Sequence, residues 1–112
     1  MNRNKLIELF ISNLSTAIVH QILEIAITDR QEISEKYNKE VKNSWEIANR
    51  YREKINPINK NLPGKDIEEI KRKVINRVKT ELKLRIEKGY ENINISLAEE
   101  FVKKSLRELR II

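Results

Sequence analysis

Lys65, Arg72, Asn76, Lys79 and Lys83 follow one another at spacings of 7, 4, 3 and 4 residues, with Lys73 and Thr80 beside them and only Glu69 and Glu87 close by. On a 3.6-residue period these positions share one narrow sector, so a helix carrying them presents a row of cations along one side. Such a row suits non-covalent phosphate chemistry, because it neutralises a polyanion backbone and releases its counterions without reading any base. It belongs to the stretch that charges the whole chain. Residues 1–49 hold six bases against seven acids and residues 89–112 hold four of each, whereas residues 50–88 hold 13 bases against 6 acids. The formal +6 of the 112-residue protein is therefore a local field, and it selects a partner's sign: nucleic acid, an acidic protein or an anionic surface. No aromatic residues are interleaved with the bases, which argues against a single-strand stacking platform. The connection ahead of the row is long and carries proline, unlike the short turn of a helix-turn-helix. The plain alternative is a solvated surface that keeps the protein in solution.

Groups that could do covalent chemistry are scarce. Glu32-x-x-Glu35 would set two carboxylates on one helical face, the spacing a magnesium-dependent nucleotide hydrolase could use, with Asp66 or Glu69 as conceivable partners. One such pair is weak ground, since helix surfaces produce it by chance and the interleaved Lys36, Lys39 and Glu40 read as solvated i,i+4 pairing. His20 is the only histidine and Ala17 stands three residues before it, so the Glu-x-x-His of a helical di-iron site is missing. Pro63-Gly64-Lys65 is a turn before a helix and lacks the rest of a phosphate loop, and there is no nucleophile elbow. We expect no catalytic residues, no metal, no cofactor and no enzyme activity.

The elements that must position these residues read as four helices at about 4–28, 30–56, 66–88 and 97–110, with a loop at 57–65. The first carries a stripe of Ile7, Ile11, Leu14, Ile18, Ile22 and Ile25 and, opposite it, a second seam of Leu6, Leu9, Asn13, Ala17, His20, Glu24 and Ile27 flanked by Phe10 and Leu23. A helix apolar on two sides must be covered on two sides. In so short a chain we expect one face on the protein's own core and the other on a second copy, through Leu6, Leu9, Phe10, Asn13, Ala17 and His20, with the polar members setting register. The second helix has a heptad seam of Tyr37, Val41, Ser44, Ala48, Tyr51 and Ile55, with Trp45 a quarter-turn away as a half-buried lid or a partner anchor. Asp29 with Glu32 reads as a capping box, yet no Gly or Pro enforces a turn before it, so helices 1 and 2 are either a hairpin, which we favour, or one rod of roughly 75 Å.

Pro57 ends helix 2. Asp66 with Glu69 reads as the capping box of helix 3, whose inner face is Ile67, Ile70, Val74, Val78, Leu82 and Ile86 and whose stop is Gly89. Residues 90–95 alternate like a strand but have no partner, so we take them as an extended linker. Ser96 with Glu99 reads as a capping box for helix 4, with Leu97, Phe101, Val102, Leu106 and Leu109 facing inward.

With 36% charged residues, two Gly and two Pro, the composition is that of a single helical domain, and the fold expected is an all-α, up-and-down bundle of two helical hairpins completed by self-association. No cysteine is present, so disulfides and thiolate metal sites are excluded, which fits a cytoplasmic setting. Residues 6–27 are long enough to span a bilayer but are interrupted by Glu8, Asn13, His20, Gln21 and Glu24, each charge costing on the order of 3 kcal/mol at depth. Neither a membrane span nor a signal peptide is expected. The function read from these residues is a non-catalytic assembly or adaptor module, a homodimer by preference, that presents a basic face. The alternative is a sequence-tolerant nucleic-acid-binding subunit using that face, and a third reading is the hydrolase around Glu32 and Glu35.

Overall fold

The computed structural model describes residues 2–27, 31–56 and 60–112, less the side chains of residues 31, 32 and 34, and among them every regular element is a helix. These are α1 Arg3–Ala26, α2 Gln31–Ile55, α3 Gly64–Glu87 and α4 Leu97–Glu108. The capping pair expected at Asp29 and Glu32 lies outside the described residues.

α1 is the hub. Among the described residues α2 rests on α1, while α3 and α4 rest on α1 and on each other. That placement accounts for the two apolar seams. Ile7, Ile11, Leu14, Ile18 and Ile22 are buried, and so are Phe10, Ala17 and Leu23 from the opposite side, all within one chain. Phe10 and Ala17 are 0% exposed, so in this packing neither side chain is available to a second copy. Leu6, Leu9, Asn13 and His20 keep part of their surface. α1 is also long and apolar enough to cross a membrane by length and composition alone. The same properties suit a helix enclosed by three neighbours, which is the position it takes.

α1 and α2 form a hairpin. The molecule measures 42 × 23 × 23 Å, too short for a continuous rod of roughly 75 Å. Asn38 Nδ2 donates to Glu24 Oε1 at 3.3 Å and Glu40 approaches His20, so later positions on α2 meet earlier ones on α1, as antiparallel helices require. Ala48, fully buried in the middle of the α2 seam, lets the two backbones approach; Trp45 and Tyr51 lie half-buried on the core.

Two stripes run further than their burial. Ile25 is 50% exposed at the end of α1 and Ile86 is 41% exposed at the end of α3. Each four-residue step advances about 40° around a helix, so Ile86 has rotated off the face that Val74 and Val78 bury, while Ile25 lies in the last turn of α1.

The helix ends depart from the capping boxes. Asn2 caps α1, accepting from Lys5 N–H at 2.8 Å. Pro63 precedes α3 with no side-chain cap; Asp66 instead holds Arg3 at 2.6 Å and Glu69 holds Lys73. Ser96 likewise makes no capping bond, because its Oγ donates to Asn94 Oδ1, which also accepts from its N–H in an Asx turn, and Glu99 reaches Lys79. Cations on neighbouring turns and elements win these carboxylates. The stop at Gly89 is as expected: φ is +98°, and the amides of Tyr90 and Gly89 return to the carbonyls of Arg85 and Ile86 in a Schellman motif.

α4 ends the same way around Arg110, φ +56°, with Ile111 N–H on the Leu106 carbonyl at 2.8 Å and both side chains buried. Arg52 of α2 completes this end. It is 0% exposed, and its Nε and Nη2 donate to the carbonyls of Leu109 and Arg110 at 2.9 Å each, while Nη1 donates to Asn56 Oδ1 at 2.7 Å. Burial lowers its pKa, but a guanidinium keeps its proton in proteins, so these oxygens replace water around a fixed charge at the negative end of the α4 dipole.

Candidate polyanion interface

α3 positions the basic row because Ile70, Val74, Val78 and Leu82 fix its rotation, burying one face and turning the opposite one outward. Lys65, Arg72, Lys73, Asn76 and Lys83 are exposed. The structure then divides the row. Lys73 Nζ is 2.9 Å from Glu69 one turn away, and Lys79 Nζ is 2.8 Å from Glu99 on α4. Lys65, Arg72 and Lys83 make no ion pair within 4.0 Å among the described residues, so the ridge's uncommitted charge is three cations over a length of roughly 27 Å at 1.5 Å per residue. Glu69 and Glu99 are both held below their ordinary range, first by hydrogen bonds from Lys73 and Lys79 and then by the charges of the same lysines.

On the α1 side of α3, Lys73, Asn76, Arg77, Thr80 and Glu81 line an open groove of about 710 Å³, faced from α1 by Lys5, Glu8 and Ser12. This groove shares Ser12, Arg77 and Glu81 with a smaller cleft of about 230 Å³ that Ser15, His20 and Arg85 also line. Arg77 and Arg85 were not among the residues singled out by spacing, because they sit on the flanks of the buried face of α3 and not opposite it.

His20 stands where α1, α2 and α3 meet. Its ring stacks on Tyr37 with centroids 5.5 Å apart, and Glu40 Oε2 lies 3.3 Å from Nδ1 without hydrogen-bond alignment. Its pKa is lowered: burial is the largest cause, Glu40 opposes it and Arg85 adds to it. The imidazole is thus neutral in the fold at neutral pH. An unfolded chain binds this proton near pH 6.5, so His20 leaves stability intact above that pH and withdraws stability as pH falls through its lower folded value. We expect the thermal midpoint to fall as pH drops below about 6.5, and His20→Gln to flatten that part of the profile. Glu69 and Glu99 act only at more acid pH, since both are held below 4.5. A wild-type midpoint flat from about pH 6.5 down to the onset of carboxylate titration would refute the assignment.

The carboxylates considered for metal-dependent hydrolysis are not assembled among the described residues. Asp66 is taken by Arg3 and Glu69 by Lys73, Glu35 is exposed, and the Glu32 side chain lies outside the described residues. No group of three or more His, Asp or Glu able to hold a metal ion occurs among the described residues. No protein-family model, no curated protein and no solved structure matches this chain.

Proposed function

We propose that this chain is a non-catalytic helical module, an up-and-down bundle, whose α3 ridge docks a polyanion, and that the polyanion is a nucleic-acid backbone. The observation that carries this reading is the exposed set Lys65, Arg72 and Lys83, without an ion pair among the described residues, on one helix whose opposite face is buried. A ridge of roughly 27 Å matches about eight base-pair steps at 3.4 Å, long enough for three phosphate contacts in register with no base contact. Assembly through helix 1 has less support, since Phe10 and Ala17 are enclosed by the chain's own helices.

With three phosphates neutralised, log K for duplex DNA should fall with log salt at a slope of roughly −3, because each contact contributes about −0.9. Each of Lys65→Ala, Arg72→Ala and Lys83→Ala should lower the slope by about one unit, whereas Lys73→Ala, already paired to Glu69, should change it less. The triple Glu variant at these three positions should abolish binding and keep the helical circular-dichroism signal. Absence of salt-sensitive binding to duplex, single-stranded or structured nucleic acid at low salt would overturn the nucleic-acid reading. Capture of an acidic protein that the triple variant releases would assign the ridge to protein docking instead.

A further inference from the structure

The cleft between α1 and α3 lies off the ridge and is built differently from it. Ser15 is 2% exposed and lines the cleft, and its Oγ makes no hydrogen bond. A mid-helix hydroxyl ordinarily returns to the carbonyl four residues back, as Thr16 does to Ser12 at 3.0 Å. Ser15 does not, so its desolvation goes uncompensated by any group among the described residues.

Two guanidinium groups share the cleft with it. Arg77 makes no hydrogen bond or ion pair among the described residues. Arg85 spends only Nη1, on the carbonyl and Oε2 of Glu81 at 3.2 and 2.9 Å, which neutralises that carboxylate and leaves its Nε and Nη2 without a partner among the described residues. With His20 neutral, the lining holds two cations and one anion. It is a donor-rich wall with a net positive charge, suited to an oxyanion: a cation would meet two guanidiniums, and an apolar molecule would leave every donor unpaired. The planar forks of arginine match phosphate oxygens in particular.

Size narrows the ligand. The cleft, about 230 Å³, is several times one water's share of liquid volume, roughly 30 Å³, and it shares Ser12, Arg77 and Glu81 with the adjacent groove of about 710 Å³ that Asn76 and Thr80 also line. We propose that this is a binding site for a phosphate monoester of a hydroxyl-rich molecule. Its phosphoryl oxygens are taken by Arg77, by the free donors of Arg85 and by the Ser15 hydroxyl, and its body lies in the groove against Asn76 and Thr80. The site is independent of the ridge, because Arg77 faces α1 while Lys65, Arg72 and Lys83 face away.

The test is an NMR titration of the full chain with ribose 5-phosphate, inorganic phosphate and ribose. We expect ribose 5-phosphate to give saturable shifts centred on Ser15, Arg77 and Arg85, inorganic phosphate to bind the same residues more weakly, and ribose to give none. Arg77→Gln, an exposed position, and Ser15→Ala, which removes an unsatisfied hydroxyl and should leave the melt unchanged or raised, are each expected to weaken binding roughly tenfold. The triple Glu variant of the ridge should retain the site, so that loss of nucleic-acid binding and loss of this site are separate outcomes. No saturable shift from either phosphate, unaltered ribose 5-phosphate binding by Arg77→Gln, or inorganic phosphate binding as tightly as ribose 5-phosphate would each overturn the proposal, the last by showing that the groove holds no part of the ligand.

Discussion

Arg52→Met should destabilise the protein by roughly 3 kcal/mol, since charged hydrogen bonds contribute about 1.5–3 kcal/mol each and the carbonyls of Leu109 and Arg110 lose their partner. Methionine fills much of the volume and removes the cost of burying a charge, so the loss stays below the sum of the separate bonds. For a domain of this length the shift corresponds to a midpoint lower by about 10 °C or more. Arg52→Lys should fall between the two, because an ammonium cannot span the Leu109, Arg110 and Asn56 oxygens in one plane. Urea unfolding measures it. A change under about 1 kcal/mol would mean that water replaces the guanidinium at little cost and that the end of α4 does not depend on α2.

Phe10→Ala is expected to cost roughly 3–5 kcal/mol, the usual range for emptying a fully buried phenylalanine site. Because the ring is enclosed by the chain itself, that loss should not depend on protein concentration. Leu9→Glu, on the partly exposed flank one residue earlier, should cost far less. Melts at two protein concentrations a hundredfold apart, with light scattering, separate packing from association. If Phe10→Ala instead yields a folded species of half the wild-type mass, the second seam of α1 is an intersubunit surface after all.

Periodicity carries what belongs to a single helix and nothing that depends on its neighbours. The four helices, most of their inner faces and the shared side of the cationic row on α3 were legible, because each is a property of one helix: residues at 3.6-residue spacing share a side whatever the neighbours are. The stop at Gly89 was legible for a similar reason, since a left-handed residue there needs only its own backbone. The capping boxes misled. Asp66, Glu69 and Glu99 sit at the right spacing, but Arg3, Lys73 and Lys79 compete for them, and two of those three cations come from other helices.

Arg52 shows the limit from the other direction. It falls four residues after Ala48 and three before Ile55, a cation inside an apolar seam, which is a signal of a buried partner. Nothing in the sequence around it identifies that partner, because the acceptors are backbone carbonyls 57 and 58 residues away.

By itself, then, the sequence determined four amphipathic helices, the outward row of bases, and the presence of more apolar surface on α1 than one neighbour could cover. Only the tertiary structure decided what covers it. Three helices of the same chain enclose α1, a matter of how connections let elements return on one another, which side-chain periodicity does not encode. The tertiary structure also divided the basic row into paired and free cations, and it brought Ser15, Arg77 and Arg85 to one cleft, because those pairings depend on distances between helices and not on spacing within one.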